Sequence, residues 1–303
     1  MHTKSRLGIL LAVLGFASFS CGDALAKWLS SDYSTVQIVW TTALISALLF
    51  LCFSPWLGGI RNTVQTQQKF LHLMRVILNC MLALLVFYSL ARISLAQFYP
   101  IIFCAPFLSA ILAMFVCKEK IGLHRWGAII LGFCGVLIAV RPGVAPFDWA
   151  ILTAFCATFC FAGVYILVRK MGEAETPLSL VLFPFLFNTI ILSPFALINF
   201  VVPSLEDMIL FCIAGCFFAG GLLMVSSAFR IAPASICAPF HYTQIIWGVV
   251  LGILIFGDYP DLGIILGSIV IIASGLYLVY RESLAHKNQA KQGGMRLKHN
   301  TEV

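Results

Sequence analysis

The chain has 303 residues, 61% of them hydrophobic and only 10% charged, with a formal net charge of +7. A soluble domain carries roughly 25% charged residues, so these charges are too few to cover a water-facing surface. A soluble globular protein is excluded, and no nucleic-acid partner is expected, because membrane topology accounts for the positive charge.

The polar minority is clustered, which leaves apolar runs of about 20 residues, the length that crosses a hydrocarbon core of roughly 30 Å. Without the alternation of a closed barrel, such runs must be helices, because lipid offers the backbone no other hydrogen-bond partner. Ten spans are predicted, at 7–29, 36–57, 73–90, 96–116, 126–140, 149–168, 178–202, 208–229, 235–256 and 262–280. Lys4 and Arg6 before the first apolar run resemble the start of a secretory signal. No A-x-A-like cleavage site follows, so the first span is expected to be retained. Short loops carry turn residues, among them Ser30-Ser31-Asp32, Glu175-Thr176-Pro177 and Pro203-Ser204. The stretch 284–303 is polar and basic and reads as a disordered cytoplasmic tail.

Ten spans with the N-terminus inside leave three of the nineteen Lys and Arg residues, Lys27, Arg92 and Arg141, on the outer side. The other sixteen face the cytoplasm, as the positive-inside bias requires. Residues 88–143 return in degenerate form at 226–281. Arg92 matches Arg230, Pro100 matches Pro239, and the helix-end acids Glu119 and Asp258 correspond. The glycine pairs Gly127/Gly135 and Gly267/Gly275 correspond as well. Two halves follow, 7–143 and 148–282, each of five spans. An odd number of spans makes the second half run the opposite way through the membrane, the inverted repeat of many secondary transporters. The fold class expected is an all-α membrane protein of ten transmembrane helices in two inverted five-helix repeats. Small residues four apart, such as Ala128/Gly132, Gly248/Gly252 and Gly263/Gly267, let helix backbones approach closely. Packing within the chain is the first reading of them, a dimerisation face the second.

Of twelve acids only Asp23 lies well inside a span, and of six histidines only His241 does. An ionisable group at membrane depth costs several kcal/mol, about 2.5–3.5 for Asp on insertion scales, and points to function. Asp23 stands four residues before Lys27 on one helix face, where opposite charges pair. It reads either as a structural ion pair or as a cavity carboxylate that binds a cation or takes up a proton. His241, Gln244 and Gly248 share a face of the ninth span, as a polar stripe or as a core histidine with its neighbours. Asn79 in the third span needs a hydrogen-bond partner or a wet cavity. Tyr165 occupies the second-half position that matches Asp23. Tyr99 and Tyr242 are further polar candidates, although tyrosines near a span end are more often interfacial anchors. Pro100, Pro106 and Pro239 predict kinks in the fourth and ninth spans. The eleven cysteines show no paired spacing and read as small hydrophobes. No GxSxG, HExxH or P-loop pattern is present, and no cofactor or metal is expected.

Several short pieces resemble the EamA-like transporters of the drug/metabolite transporter superfamily. They are Gly22-Asp23-Ala24-Leu25-Ala26-Lys27, His72-Leu73-Met74-Arg75, Tyr88-Ser89-Leu90, Ala105-Pro106-Phe107, Cys117-Lys118-Glu119-Lys120 with Arg125-Trp126, and Gly132 through Arg141-Pro142-Gly143. They occur in order over about residues 7–282. The resemblance implies ten spans in two inverted repeats, a central cavity, and movement of small metabolites by alternating access. It makes Glu119 and Asp258 structural acids. Many relatives carry an Arg in the middle of the second span, where this chain has Trp40. The overall look is closest to members that move S-adenosylmethionine, riboflavin or amino-acid-like compounds.

The expectation is a secondary transporter, not an enzyme, in the inner membrane with both termini cytoplasmic. Its partners would be a small polar, nitrogen-containing substrate, membrane lipid, and a proton or counter-substrate for coupling, in a monomer or weak dimer. Asp23, Asn79, Tyr165, His241 and Gln244 are the candidate substrate-binding residues. The rival reading is a non-transporting membrane protein: a sensor, an assembly factor or an intramembrane enzyme.

Overall fold

The structure is a computed structural model. It describes residues 2–301 except 58, 61, 62, 64, 65, 67, 117, 119–121, 142–147, 172–174, 233 and the termini. Side chains are described from Arg6 to Arg281, those of 177, 234 and 235 also excepted. The expectation for Glu119 therefore lies outside the described residues, while the backbone of the last helix runs on to Thr301. Ten helices are long and apolar enough to cross a membrane. They are α1 Arg6–Leu29, α2 Thr35–Cys52, α3 Lys69–Leu90, α4 Leu95–Val116, α5 Leu123–Val140, α6 Trp149–Met171, α7 Leu178–Ile198, α8 Leu205–Ile231, α9 Ala238–Phe256 and α10 Leu262–Arg281. Large apolar side chains cover the outside, and exposed Trp28, Trp56, Trp149 and Tyr259 stand near helix ends, the position of an interfacial aromatic belt. The chain is a multi-pass α-helical membrane protein.

Two of the spans are broken where proline falls. The fourth runs as Leu95–Ile102 and Ala105–Val116 around Phe103 and Cys104. Pro106 follows the break, has no N–H to return to Ile102, and disfavours helical geometry at the residue before it. The ninth opens as a 3₁₀ turn, Ala238–Tyr242, around Pro239. It continues as α-helix over Thr243–Leu251 and closes as a π turn, Gly252–Phe256. Gly257 then ends it at φ 69°, a left-handed conformation that glycine adopts without strain.

The strongest helix pairings close a ring: α1 on α8, α8 on α2, α2 on α7, α7 on α3, α3 on α6, α6 on α4, α4 on α9 and α9 on α1. Helices α5 and α10 pack on each other and against the first half of α4. Exchanging the halves, α1 for α6 through α5 for α10, maps the ring and the α5–α10 pair onto themselves. That is the internal two-fold of an inverted repeat. Small residues set the closest approaches. Gly135 of α5 faces Gly267 of α10, so that a Cβ on Gly135 would sit 2.8 Å from Ile271 Cγ1 and 3.0 Å from the Gly267 carbonyl. Gly15 of α1 and Gly221 of α8 are equally tight, each with a would-be Cβ about as close to the other's carbonyl. Gly132 lies against Phe107, and Gly263 against Arg141. The small-residue pattern is thus consumed in packing within the chain.

The helix ends are tied by polar pairs that obey the same two-fold. Ser34 caps α2 and Thr176 caps α7, each accepting the N–H three residues on (Gln37 and Ser179), as N-cap side chains do. The residue before each cap reaches the start of another helix. Tyr33 Oη donates to Asp207 Oδ2 of α8 at 2.8 Å. At the opposite end His72 Nε2 of α3 meets Glu175 Oε2 at 2.9 Å, with both side chains no more than 6% exposed. Thr66 Oγ1 donates to Glu175 Oε1 at 2.5 Å and Ser179 Oγ to Oε2 at 3.3 Å. Burial raises the Glu175 pKa, but the hydrogen bonds from Thr66, His72 and Ser179 and the attraction of His72 outweigh it, so the net direction is down.

Two outcomes follow. Gly135→Leu should overpack the α5–α10 seam and cost about 1–3 kcal/mol, seen as a lower unfolding temperature in detergent. Gly127→Leu, where nothing lies within 4 Å of the new Cβ, should leave that temperature unchanged. Glu175 is held below its unfolded pKa, so its contribution is full above that value and is lost as pH falls through the lower folded one. Glu175→Gln should cost about 1–3 kcal/mol near neutral pH and flatten the loss of stability on acidification, read by unfolding temperature against pH.

Candidate functional site

Helices α1, α4 and α9 meet at Asp23. Its carboxyl is buried, 8% exposed, and Tyr99 Oη of α4 donates to Oδ2 at 2.9 Å. The Tyr99 ring lies flush on Gly248 of α9, and no Cβ fits there. Glycine at 248 therefore lets the phenol reach Asp23. Lys27 does not pair with Asp23. One helical turn on, its Nζ donates to the Ile93 carbonyl at 2.7 Å and lies 3.8 Å from Asp258 Oδ2, over the Phe256 ring. The end of α1 places Lys27 beside the α3–α4 and α9–α10 connections, whose carbonyl and acid outcompete a buried carboxylate for it. Arg141 Nη2 lies 3.6 Å from Asp261 Oδ1 of the same α9–α10 connection. Lys27 and Arg141, both expected outside, thus stand at one end of the bundle.

His241 sits in the 3₁₀ turn of α9 with an aromatic ring on each of three other helices. Phe16 of α1 stacks on it at 4.6 Å and 24°. Phe103, at the break in α4, meets it edge-on at 4.6 Å and 69°. Phe161 of α6 lies at 6.1 Å. Phe103 also touches Tyr99, at 6.1 Å. A continuous row of side chains therefore runs from Asp23 through Tyr99 and Phe103 to His241. Gln244, one turn along α9 on the same face as His241, is 7% exposed. The break in α4 is what turns Phe103 toward α9.

The structure thus brings Asp23, His241 and Gln244 into one connected cluster and adds Tyr99, Phe16, Phe103 and Phe161 to it. Asn79 stands apart on α3, half-buried, its Nδ2 donating to the Arg75 carbonyl at 2.8 Å. Tyr165 is 60% exposed on the outer side of α6. The second-half residue that matches Tyr99 is Ala238, by the register that matches Pro100 to Pro239, so the bond that draws Asp23 inward has no equivalent at Tyr165. Trp40 donates from Nε1 to Ser193 Oγ of α7 at 2.9 Å. Tyr99 was legible as a polar candidate near a span end, but not as the partner of Asp23. A glycine in the facing span at 248 is the sequence signal for its inward placement. A shallow apolar depression lined by Met208, Cys212, Cys216 and Gly220 lies on the outward side of α8, away from this cluster.

Comparison with known proteins agrees with this architecture. A family model described as the EamA-like transporter family matches residues 6–141 and again residues 148–281. The S-adenosylmethionine uptake transporter of Rickettsia prowazekii is 24% identical over 286 residues, covering 94% of this chain and 97% of that protein. The riboflavin transporter of Vibrio cholerae is 28% identical over 285 residues, covering 92% and 94%. A solved crystal structure shares the fold at a TM-score of 0.63 and 12% identity, over 91% of this chain and 96% of the other. The family and these two relatives are named for transport rather than for an enzymatic reaction. With both halves matched in order across nearly its whole length, the chain belongs to the EamA-like transporter family.

Proposed function

We propose that this protein is a secondary transporter that carries a small polar metabolite, of the S-adenosylmethionine or riboflavin kind, across the plasma membrane by alternating access. The observation that carries the reading is Asp23, a carboxyl buried in a membrane span and held, among the described residues, by the neutral Tyr99 hydroxyl. A buried acid that no cation neutralises is costly to keep at membrane depth. It is suited to a substrate cation, such as a sulfonium or ammonium, or to a proton taken up and released in each cycle. The relatives named above support the substrate kinds. The lopsided distribution of Lys and Arg supports a cytoplasmic position for both termini.

Each part of the cluster has work in such a cycle. Asp23 is the cation- or proton-binding group, and Tyr99 orients it. Phe16, Phe103 and Phe161 around His241 form an aromatic enclosure for a flat ring, the feature that adenine and isoalloxazine share, and aromatic faces also attract a cation. Gln244 supplies amide donors and an acceptor beside them. The broken α4 and α9 are the hinging elements, since freed backbone groups and loosened turns bend more readily than continuous helix. Tyr165 is left out of this site because its ring faces outward. Asn79 lies further along α3 and would meet substrate at another stage.

Purified protein in proteoliposomes, given labelled S-adenosylmethionine and riboflavin separately, should accumulate one of them. Asp23→Asn should abolish accumulation while the protein still inserts and runs as a single species in detergent. Tyr99→Phe should lower kcat/KM about tenfold or more, the worth of a hydrogen bond to a charged group. Wild-type transport by the Asp23→Asn protein would refute the role given to Asp23. Failure of the wild type to move either compound would remove both substrate kinds.

A further inference from the structure

A second buried charge is not used by this cluster. Arg75 lies in α3, 5% exposed. Its Nη2 donates to the Leu180 carbonyl of α7. Its Nε and Nη1 are shut off from solvent and have no hydrogen-bond partner among the described residues. Glu175 is near enough to act on Arg75 electrostatically, yet no hydrogen bond or ion pair joins the two among the described residues. Thr66 holds Oε1, and His72 and Ser179 hold Oε2. Guanidinium stays charged at any pH a protein survives. Leaving buried donors of a charged group idle costs more than leaving those of a neutral one.

The scaffold does not demand this arginine. In the register that matches Arg92 to Arg230, the second-half residue at its position is Ile213, which is 40% exposed on α8. Nor does the two-fold pair of helix-end contacts require it, because Tyr33–Asp207 is made at the other end without a cation. Arg75 stands one turn inside the His72–Glu175 pair, and its own carbonyl holds Asn79 one turn deeper. On one face of α3, then, a polar line runs inward from the helix end: His72, Arg75, Asn79.

We propose that Arg75 binds the carboxylate of the transported substrate. This rests on the transport reading above and narrows it: the substrate bears an amino-acid carboxylate, as S-adenosylmethionine does and riboflavin does not. The His72–Glu175 pair occupies the acid and leaves the guanidinium donors for the incoming anion. A guanidinium offers rigid, charge-assisted hydrogen bonds that suit carboxylate oxygens.

The test is equilibrium binding to the purified full chain in lipid nanodiscs, with S-adenosylmethionine and with its decarboxylated form, which lacks only the carboxylate. The wild type should bind the carboxylated compound about tenfold or more tightly, the worth of hydrogen bonds between charged groups. Arg75→Gln should bind the two equally, at the affinity the wild type shows for the decarboxylated one. Equal binding by the wild type, or a preference retained in Arg75→Gln, would overturn the proposal. If the wild type binds neither, the S-adenosylmethionine reading fails by itself, and Arg75 is judged with sulfate at constant ionic strength. Sulfate should then raise the unfolding temperature of the wild type but not of Arg75→Gln, and an equal shift in both would overturn the anion site. Where Arg75→Gln does not purify as a single species, Arg75→Lys, which keeps the charge without the planar fork, takes its place in every arm.

Discussion

The hydrogen bond from Tyr99 to Asp23 is the contact on which the centre of the molecule depends. It holds a carboxyl at membrane depth with a neutral donor instead of a cation. It is reached only because Gly248 leaves room for the phenol ring. One contact thus ties α1, α4 and α9, helices from both repeats, and fixes the ring that leads on through Phe103 to His241. It also frees Lys27 for the end of the bundle, where Ile93 and Asp258 take it. Had Asp23 paired with Lys27, the membrane interior would hold a compensated and inert ion pair.

Around that centre the two-fold of the repeat is followed in the packing and abandoned in the chemistry. The ring of helix pairings maps onto itself when the halves are exchanged, and so do the caps at Ser34 and Thr176. The side chains that do chemistry do not. Asp23 corresponds to Tyr165, Tyr99 to Ala238, Arg75 to Ile213. The contact at one end of the bundle is a tyrosine on an aspartate, and the opposite one a histidine on a glutamate. On the proposed alternating-access cycle, equivalent packing in the two halves serves both states, while the chemistry of the site is free to differ between them.

Much of the fold was legible because hydrophobic length and proline act locally. The ten spans, the inverted repeat and the breaks in α4 and α9 all follow from runs of apolar residues and from Pro106 and Pro239. Helix ends moved by a few residues. The second span stops at Cys52 and yields to a 3₁₀ turn at Ser54–Leu57, and the seventh stops at Ile198 before the irregular stretch that Gln37 holds through Val201. The site was legible only in part, because spacing along one helix does not say which neighbour wins a side chain. Asp23 and Lys27 share a face, yet each found a partner seventy or more residues away in sequence or on another helix. Tyr99 reads as a boundary tyrosine until Gly248 is seen opposite it. Arg75 counts as an inside charge until its burial beneath α7 is known.

The central claim is that water and substrate reach the row between Asp23 and His241 from each side of the membrane in turn. The most direct measurement places a single cysteine at Phe161, which faces His241 at 6.1 Å, in an otherwise cysteine-free protein. Its reaction with a membrane-impermeant thiol reagent, added from one side and then the other, is followed with and without S-adenosylmethionine. Alternating access predicts labelling from both sides and a substrate-dependent change in the rate from each. Labelling from neither side, or from one side alone at a rate the substrate does not alter, would contradict it.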